Sequence, residues 1–249
     1  MEKTGGGLMI KVSIVDDESR FLKAVHTIIE NEFRNHNLEC DYRVYRTPSE
    51  FIKDQKKNPC DIAFLDIMMP DITGFDIASE MRRLHDDAYI IFITSNEESV
   101  YDSFEFQPFQ FIRKDCDRSF AEQLRHTVEN LVRHLKQNYT MLVQMPFGEE
   151  RKVRVLDIMA VKSDKNYLEV ICSGEKNLRV RRKMAEMEEE LRAFDFVRIH
   201  NRWLINMRYI KLPDYPNDEV VMMNGITLPL SRSKKNELQR RYAEYLRSL

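Results

Sequence analysis

The chain has 249 residues, of which 43% are hydrophobic and 32% charged, with a formal net charge of −2. That balance is one of soluble globular proteins, with apolar content for one or two cores, and the length suggests two domains. The longest apolar run is residues 88–93, far short of the ~18 residues a membrane span requires, so no membrane partner is expected. Residues 1–8 are polar and Gly-rich, read as a flexible tail without the apolar core of a signal peptide, and a cytoplasmic location is expected. Cys40, Cys60, Cys116 and Cys172 form no CxxC pair and read as free thiols. Residues 141–249 carry 21 Lys and Arg against 16 Asp and Glu, so one half is basic and the other acidic. Such a split fits a regulatory half joined to one that meets a polyanion.

In chain order, residues 10–15 read as a buried strand, and Phe21, Leu22, Val25, Ile28, Ile29 and Phe33 mark a helical stripe. A strand over 42–45 precedes Thr47-Pro48-Ser49-Glu50, an N-cap with proline at the first helical position. Residues 62–65 are an apolar run ending on Asp66, 76–84 a helix, and 89–93 a strand ending on Thr94. An ill-defined helix near 99–105, a strand over 109–112 and a helix opened by Ser119-Phe120-Ala121-Glu122 complete the first half. Apolar strands alternating with helices predict a doubly wound parallel sheet of five strands covered on both faces. Ligands of such sheets bind beyond the carboxyl ends of the strands. Asp16, Asp17, Asp66, Thr94 and Lys114 all fall at those ends.

From Met141 the texture changes. Strand-like runs cover 141–147, 152–155, 158–162, 167–172 and 178–180, then a Glu-rich helix 184–194. Runs at 197–199, 220–223 and 226–228 follow, the last two around Asn224-Gly225, a type I′ hairpin signal. Ser231 or Ser233 is expected to cap a final helix. The second half is therefore mostly β. The expected divisions are a tail (1–8), an α/β domain (9–130), a helical linker (131–140) and a mostly β domain (141–249).

Three carboxylates at one sheet edge repel unless a cation is present, and hard oxygen ligands suit Mg²⁺. Asp66 can then serve as an oxygen nucleophile, with the Thr94 hydroxyl and the Lys114 ammonium reaching the same phosphoryl group. The stretches Val15-Asp16-Asp17-Glu18, Phe64-Leu65-Asp66-Ile67-Met68-Met69-Pro70-Asp71-Ile72-Thr73-Gly74, Ile93-Thr94-Ser95 and Phe111-Ile112-Arg113-Lys114 resemble the receiver domain of bacterial two-component response regulators, which has a flavodoxin-like fold. The resemblance implies that a sensor histidine kinase phosphorylates Asp66. It implies that Asp16, Asp17, Asp66 and the carbonyl of Met68 hold Mg²⁺. Thr94 and Phe111 would form the switch pair. Asp115 stands where the family usually has a proline joined by a cis bond, Phe111 where it often has tyrosine, and Ser95 where alanine is common. A cis bond before Asp115 costs ~2.5–4 kcal/mol, so a trans bond and a differently aimed lysine are expected.

In the basic half, Arg179, Arg181, Arg182 and Lys183 place four cations within five residues, a density that suits phosphate neutralisation. Further cations are Arg198, Arg202, Arg208, Lys211, Arg232, Lys234 and Lys235. Asp164-Lys165-Asn166-Tyr167, the run Arg198-Ile199-His200-Asn201-Arg202-Trp203-Leu204-Ile205-Asn206, and Leu228-Pro229-Leu230-Ser231-Arg232 resemble the LytTR-type DNA-binding domain. The resemblance implies loops that enter successive major grooves of double-stranded DNA at promoter repeats. By position, the contacts are Lys165 and Asn166, Asn201 and Arg202, and Arg232, Ser233 and Lys234, beside the Arg179, Arg181 and Arg182 run. His200, Asn206 and Trp203 read as structural.

The expectation is a phosphorylation-controlled transcriptional regulator that dimerises through the face of its fourth helix, fifth strand and fifth helix. The alternative is a pseudo-receiver set by protein contacts alone. An aspartyl-phosphate hydrolase is disfavoured because Met68, not an acid, stands two residues after Asp66, and no enzyme activity is expected.

Overall fold

The structure, a computed structural model, describes residues 2–4, 7–84, 87–95, 104–114, 118–145, 149–174 and 176–247. The chain divides into two compact units, Met1–Arg133 and His134–Leu249.

The first unit contains β1 (Glu2–Thr4), β2 (Gly7–Val15), α1 (Ser19–Asn35), β3 (Glu39–Tyr45), α2 (Pro48–Gln55), β4 (Ile62–Asp66), α3 (Gly74–Leu84), β5 (Tyr89–Thr94), β6 (Gln110–Arg113) and α4 (Arg118–Asn138), which runs on past Arg133. The sheet runs β3-β2-β4-β5-β6 with every one of these pairs parallel. All five residues of β4 are buried, the signature of a central strand covered on both faces. The Thr47 hydroxyl accepts the Glu50 N–H and Pro48 opens α2, as the sequence anticipates. Ser119 instead lies inside α4, which begins at Arg118.

Residues 2–4 depart from the tail expected of them. They form a strand antiparallel to β2, with Glu2 opposite Met9. β3 takes one edge of Met9, and β4 joins β2 only at Val12. The opposite edge of residues 7–9 therefore offers backbone groups that a returning strand can satisfy. The helix expected near 99–105 lies largely outside the described residues; Phe104–Phe106 form a single 3₁₀ turn. Phe106 stacks on Phe75 at 5.5 Å, and Phe75 meets Phe92 edge-on at 5.2 Å. The Arg82 guanidinium ties that turn to α3 by donating to the Phe106 and Ala88 carbonyls at 2.9 and 2.7 Å.

The second unit contains β7 (Thr140–Gln144), β8 (Glu150–Arg154), β9 (Ile158–Asp164), β10 (Tyr167–Cys172), β11 (Leu178–Val180), α5 (Met184–Glu190), β12 (Phe196–His200), β13 (Trp203–Asn206), β14 (Ile210–Asp214), β15 (Glu219–Met222), β16 (Thr227–Pro229) and α6 (Lys235–Arg247). An antiparallel sheet runs β11-β10-β9-β13-β12, beside a three-stranded sheet β14-β15-β16 and the β7-β8 hairpin. Ala160, Val197, Ile205, Val220, Met222 and Leu238 are among the residues of one core that joins the two larger sheets to α6.

Two local expectations change. The Gly225 N–H bonds the Met222 carbonyl, the Met222 N–H bonds the Ile226 carbonyl, and of the turn residues only Gly225 has positive φ (83°). This is a type I turn closed by a glycine bulge, not the two-residue I′ loop. A 3₁₀ turn, Arg232–Lys234, precedes α6, so neither Ser231 nor Ser233 caps the α-helix directly.

Candidate acidic site and nucleic-acid interface

Register explains why chain-distant acids meet. Val15 lies opposite Leu65, and Asp66 opposite Ile93. One residue beyond the Val15–Leu65 pair, Asp16 and Asp66 stand side by side at the carboxyl ends of β2 and β4. Thr94 ends β5 opposite Arg113, and Lys114 follows. Asp16, Asp17 and Asp66 each bring a carboxylate oxygen within 4.8 Å of the others. Asp16 and Asp66 are buried and Asp17 half-buried.

The Lys114 ammonium sits between the two buried acids, 2.6 Å from Asp16 Oδ2 and 2.6 Å from Asp66 Oδ2. The sequence expectation of a differently aimed lysine is thus corrected at the side chain; Asp115 itself lies outside the described residues. The backbone supplies part of the aim, because the Lys114 N–H donates to the Thr94 carbonyl at 2.7 Å. Two further backbone donors hold the other carboxylate oxygens. The Glu18 N–H reaches Asp16 Oδ1 at 2.8 Å and the Met68 N–H reaches Asp66 Oδ1 at 3.1 Å. Burial lifts the pKa of both Asp16 and Asp66 above the ordinary carboxyl value, partly opposed by the Lys114 hydrogen bonds. Burial works against the Lys114 charge too, but the paired acids outweigh it and its pKa is raised. Thr94 is fully buried, and Phe111 packs half-buried against the core beneath the site.

Two residues that the motifs did not single out shape this site. Phe21 on α1 places its ring 4.5 Å from the Lys114 ammonium, and Phe120 braces that ring at 5.0 Å. In the sequence, Phe21 reads only within an apolar helical stripe and Phe120 only within the capping box. Gly74 opens α3 directly beneath β4: an added Cβ would stand 2.3 Å from the Asp66 carbonyl oxygen and 2.9 Å from Ile67 Cα. The motif glycine is therefore a packing requirement that fixes the strand end carrying Asp66.

The basic residues gather by the same logic of register. Trp203 pairs with Lys162, and the Ser163 N–H donates to the Arg202 carbonyl, so the β9–β10 and β12–β13 turns lie side by side. Leu168 pairs with Val180, which brings Arg181 to that end of the sheet. The Ser231 N–H donates to the Ile199 carbonyl at 2.8 Å, which ties the loop of Arg232, Ser233 and Lys234 to the end of β12. Lys165 (φ 55°), Asn166, Arg181, Asn201, Arg202, Arg232 and Ser233 are exposed there.

Several of these cations already have partners. Arg179 lies over the Tyr167 ring at 4.3 Å and 3.5 Å from Asp164. Arg232 is 3.6 Å from Asp218, and Lys234 is 2.7 Å from Glu237. Arg182 is half-buried and bonded at 2.6 Å to Glu190, whose side chain is 6% exposed. That ion pair gives Arg182 a partner within the fold, beside the DNA contact expected of it. Asn206 is structural as read: buried, it donates to the Ile158 carbonyl and accepts from the Arg208 N–H. His200 Nδ1 accepts the Arg202 N–H at 3.2 Å, and Trp203 packs half-buried with Lys162 over its ring.

Comparison with known proteins gives two family matches. A model for the response regulator receiver domain matches residues 12–129, and one for the LytTr DNA-binding domain matches residues 149–243. The chain is 28% identical over 236 residues to the transcriptional regulatory protein BtsR of Salmonella typhi, covering 90% of this chain and 95% of that one. It is 24% identical over 242 residues to the sensory transduction protein LytT of Bacillus subtilis, covering 93% and 98%. Among solved structures, the response regulatory domain of mrkE from Klebsiella pneumoniae aligns with 52% of this chain and all of its own, at 23% identity and a TM-score of 0.46.

Proposed function

As the chain belongs to the two-component response regulators that join a receiver domain to a LytTr DNA-binding domain, we propose that a sensor histidine kinase phosphorylates Asp66, and that phosphorylation promotes receiver dimerisation and binding of the C-terminal unit to repeated DNA sites. The observation that carries this reading is the Asp66 carboxylate, set between Asp16, Asp17 and the Lys114 ammonium.

In the step, one Asp66 oxygen attacks phosphorus. The O–P bond forms as the P–N bond of a phosphohistidine breaks, and the leaving imidazole nitrogen keeps the electron pair and is protonated by water. Lys114 pairs with a phosphoryl oxygen in place of one of its two carboxylates, and the Thr94 hydroxyl donates to another. The three clustered carboxylates are a hard donor set that fits Mg²⁺. Asp16, Asp17, Asp66 and the Met68 carbonyl would hold the ion, which when bound neutralises phosphoryl charge.

The aspartyl phosphate adds charge beside Thr94, and Thr94 with Phe111 forms the element that responds. Dimerisation then links two DNA-binding units, so that the second half-site is met at a high effective concentration. The test is intact mass after incubation with acetyl phosphate and Mg²⁺. A phosphoryl adduct is expected on the wild-type chain and none on Asp66→Asn, with phosphodonor-induced dimers lost in parallel. A wild-type chain that stays unmodified would favour a pseudo-receiver governed by protein contacts.

A further inference from the structure

Arg198 counts as one more cation of the basic half, yet its guanidinium is bonded on several sides within the protein. Its side chain is 25% exposed, and Nη1 lies 3.0 Å from Glu188 Oε2 on α5. Nη2 donates to the Asn201 carbonyl at 2.9 Å and Nε to the His200 carbonyl at 3.4 Å. These are the carbonyls of the β12–β13 turn that presents Asn201 and Arg202.

The strand pairing shows why the turn needs holding. Arg198 pairs with Leu204 and His200 with Trp203, so β12 spends two steps where β13 spends one, and Ile199 is the extra residue of a bulge. A bulge bends its strand and re-aims the residues beyond it. It also leaves the Ile199 carbonyl outside the ladder, where it accepts the Ser231 N–H and so sets the loop of Arg232.

We propose that Arg198 and Glu188 are positioning residues of the DNA interface. Glu188 fixes the guanidinium, the guanidinium draws the two turn carbonyls inward, and the side chains of Asn201 and Arg202 are thereby presented outward. Only the planar fork of arginine serves both carbonyls and the carboxylate together. The proposal rests on the reading that this end of the sheet meets DNA.

The test uses the full-length chain with Mg²⁺ and beryllofluoride, and the duplex that the wild-type chain enriches from a random library. Affinity is measured across a salt series. An arginine that grips phosphate gives up a slope of about 0.9 in log K against log salt when neutralised. Arg198→Gln is expected to weaken binding about tenfold with the slope unchanged, whereas Arg202→Ala lowers both affinity and slope. Glu188→Gln gives the sharper sign. Removing an acid beside a phosphate-gripping arginine strengthens binding, whereas loss of the clamp weakens it, about threefold against that electrostatic trend.

A stronger complex with Glu188→Gln, or a reduced slope with Arg198→Gln, overturns the proposal. Trp203 fluorescence, from the single tryptophan one residue past the turn, verifies that each variant is folded; should Arg198→Gln unfold, the sign of Glu188→Gln decides. If the wild type enriches no duplex, the DNA reading fails and the positioning role with it. If Arg202→Ala alone weakens binding, the DNA reading stands and the positioning role falls.

Discussion

The two units gather their charges in the same way and spend them differently. In each, strand register brings chain-distant residues to one end of a sheet. At the acidic end three carboxylates cluster, and the two buried ones both bond the Lys114 ammonium. At the basic end Arg179, Arg182, Arg232 and Lys234 already meet carboxylates, of which only that of Glu190 is buried. Charge density in the sequence therefore understates the first site and overstates the second. Burial decides the difference, because charges interact several times more strongly in a low-dielectric interior than across water.

That contrast is broken most severely at Lys114. Lys114→Met would leave Asp16 and Asp66 as adjacent buried acids without the Lys114 counter-charge, a loss of about 3–5 kcal/mol of stability at neutral pH. The sign with pH follows from the raised carboxyl pKa values. The folded variant holds these protons more tightly than the unfolded chain. Its stability is greatest on the acid side and falls as pH rises through the raised folded values. Mg²⁺, proposed above to bind the folded cluster, should restore part of the loss. Urea unfolding at several pH values, with and without Mg²⁺, measures both. A deficit indifferent to pH and to Mg²⁺ would mean that the acids do not carry the charge assigned to them.

A smaller effect sharpens the comparison within the basic unit. Arg182→Ala removes the 2.6 Å ion-pair partner of the buried Glu190 carboxylate and should cost about 1–3 kcal/mol of stability while leaving the salt dependence of DNA binding unchanged. Arg202→Ala should do the reverse: almost no change in unfolding, and a salt slope reduced by about 0.9. Arg202 is exposed, and its Nε donates only to the Ser163 carbonyl at 3.2 Å. Should the two variants exchange phenotypes, Arg182 is a DNA contact after all.

How much of this was legible depends on the kind of constraint. The carboxyl-end rule for parallel strands located Asp16, Asp66, Thr94 and Lys114 from alternation alone, because buried parallel strands announce themselves as apolar runs. Partners across the fold were not legible. Nothing in the run Arg179–Lys183 distinguishes Arg182, bonded to Glu190, from the exposed Arg181; only the packing of α5 separates them. β13 and β14 went unread as strands for different reasons. β13 is three-quarters buried and too short to show a period of two, and β14 carries exposed Lys211 and Leu212 with Pro213 opposite Val220. The strand formed by residues 2–4 depends on an edge that exists only once β3 and β4 have taken their places.

The mildest intervention tests how the acidic end aims the Lys114 ammonium. Two carboxylates at 2.6 Å already direct the Lys114 ammonium, so the Phe21 ring at 4.5 Å adds a quadrupole attraction of only about 0.5–1 kcal/mol. On the proposed transfer, its contribution grows when Lys114 releases one carboxylate to take a phosphoryl oxygen, since the ring remains as a fixed wall. Phe21→Leu keeps an apolar side chain but no negative face, and should slow phosphorylation of Asp66 by acetyl phosphate about two- to fivefold. Phe21→Tyr retains the face and should stay near the wild-type rate. Equal slowing by both variants would assign the effect to packing against Phe120, whose ring lies 5.0 Å away, and not to the cation.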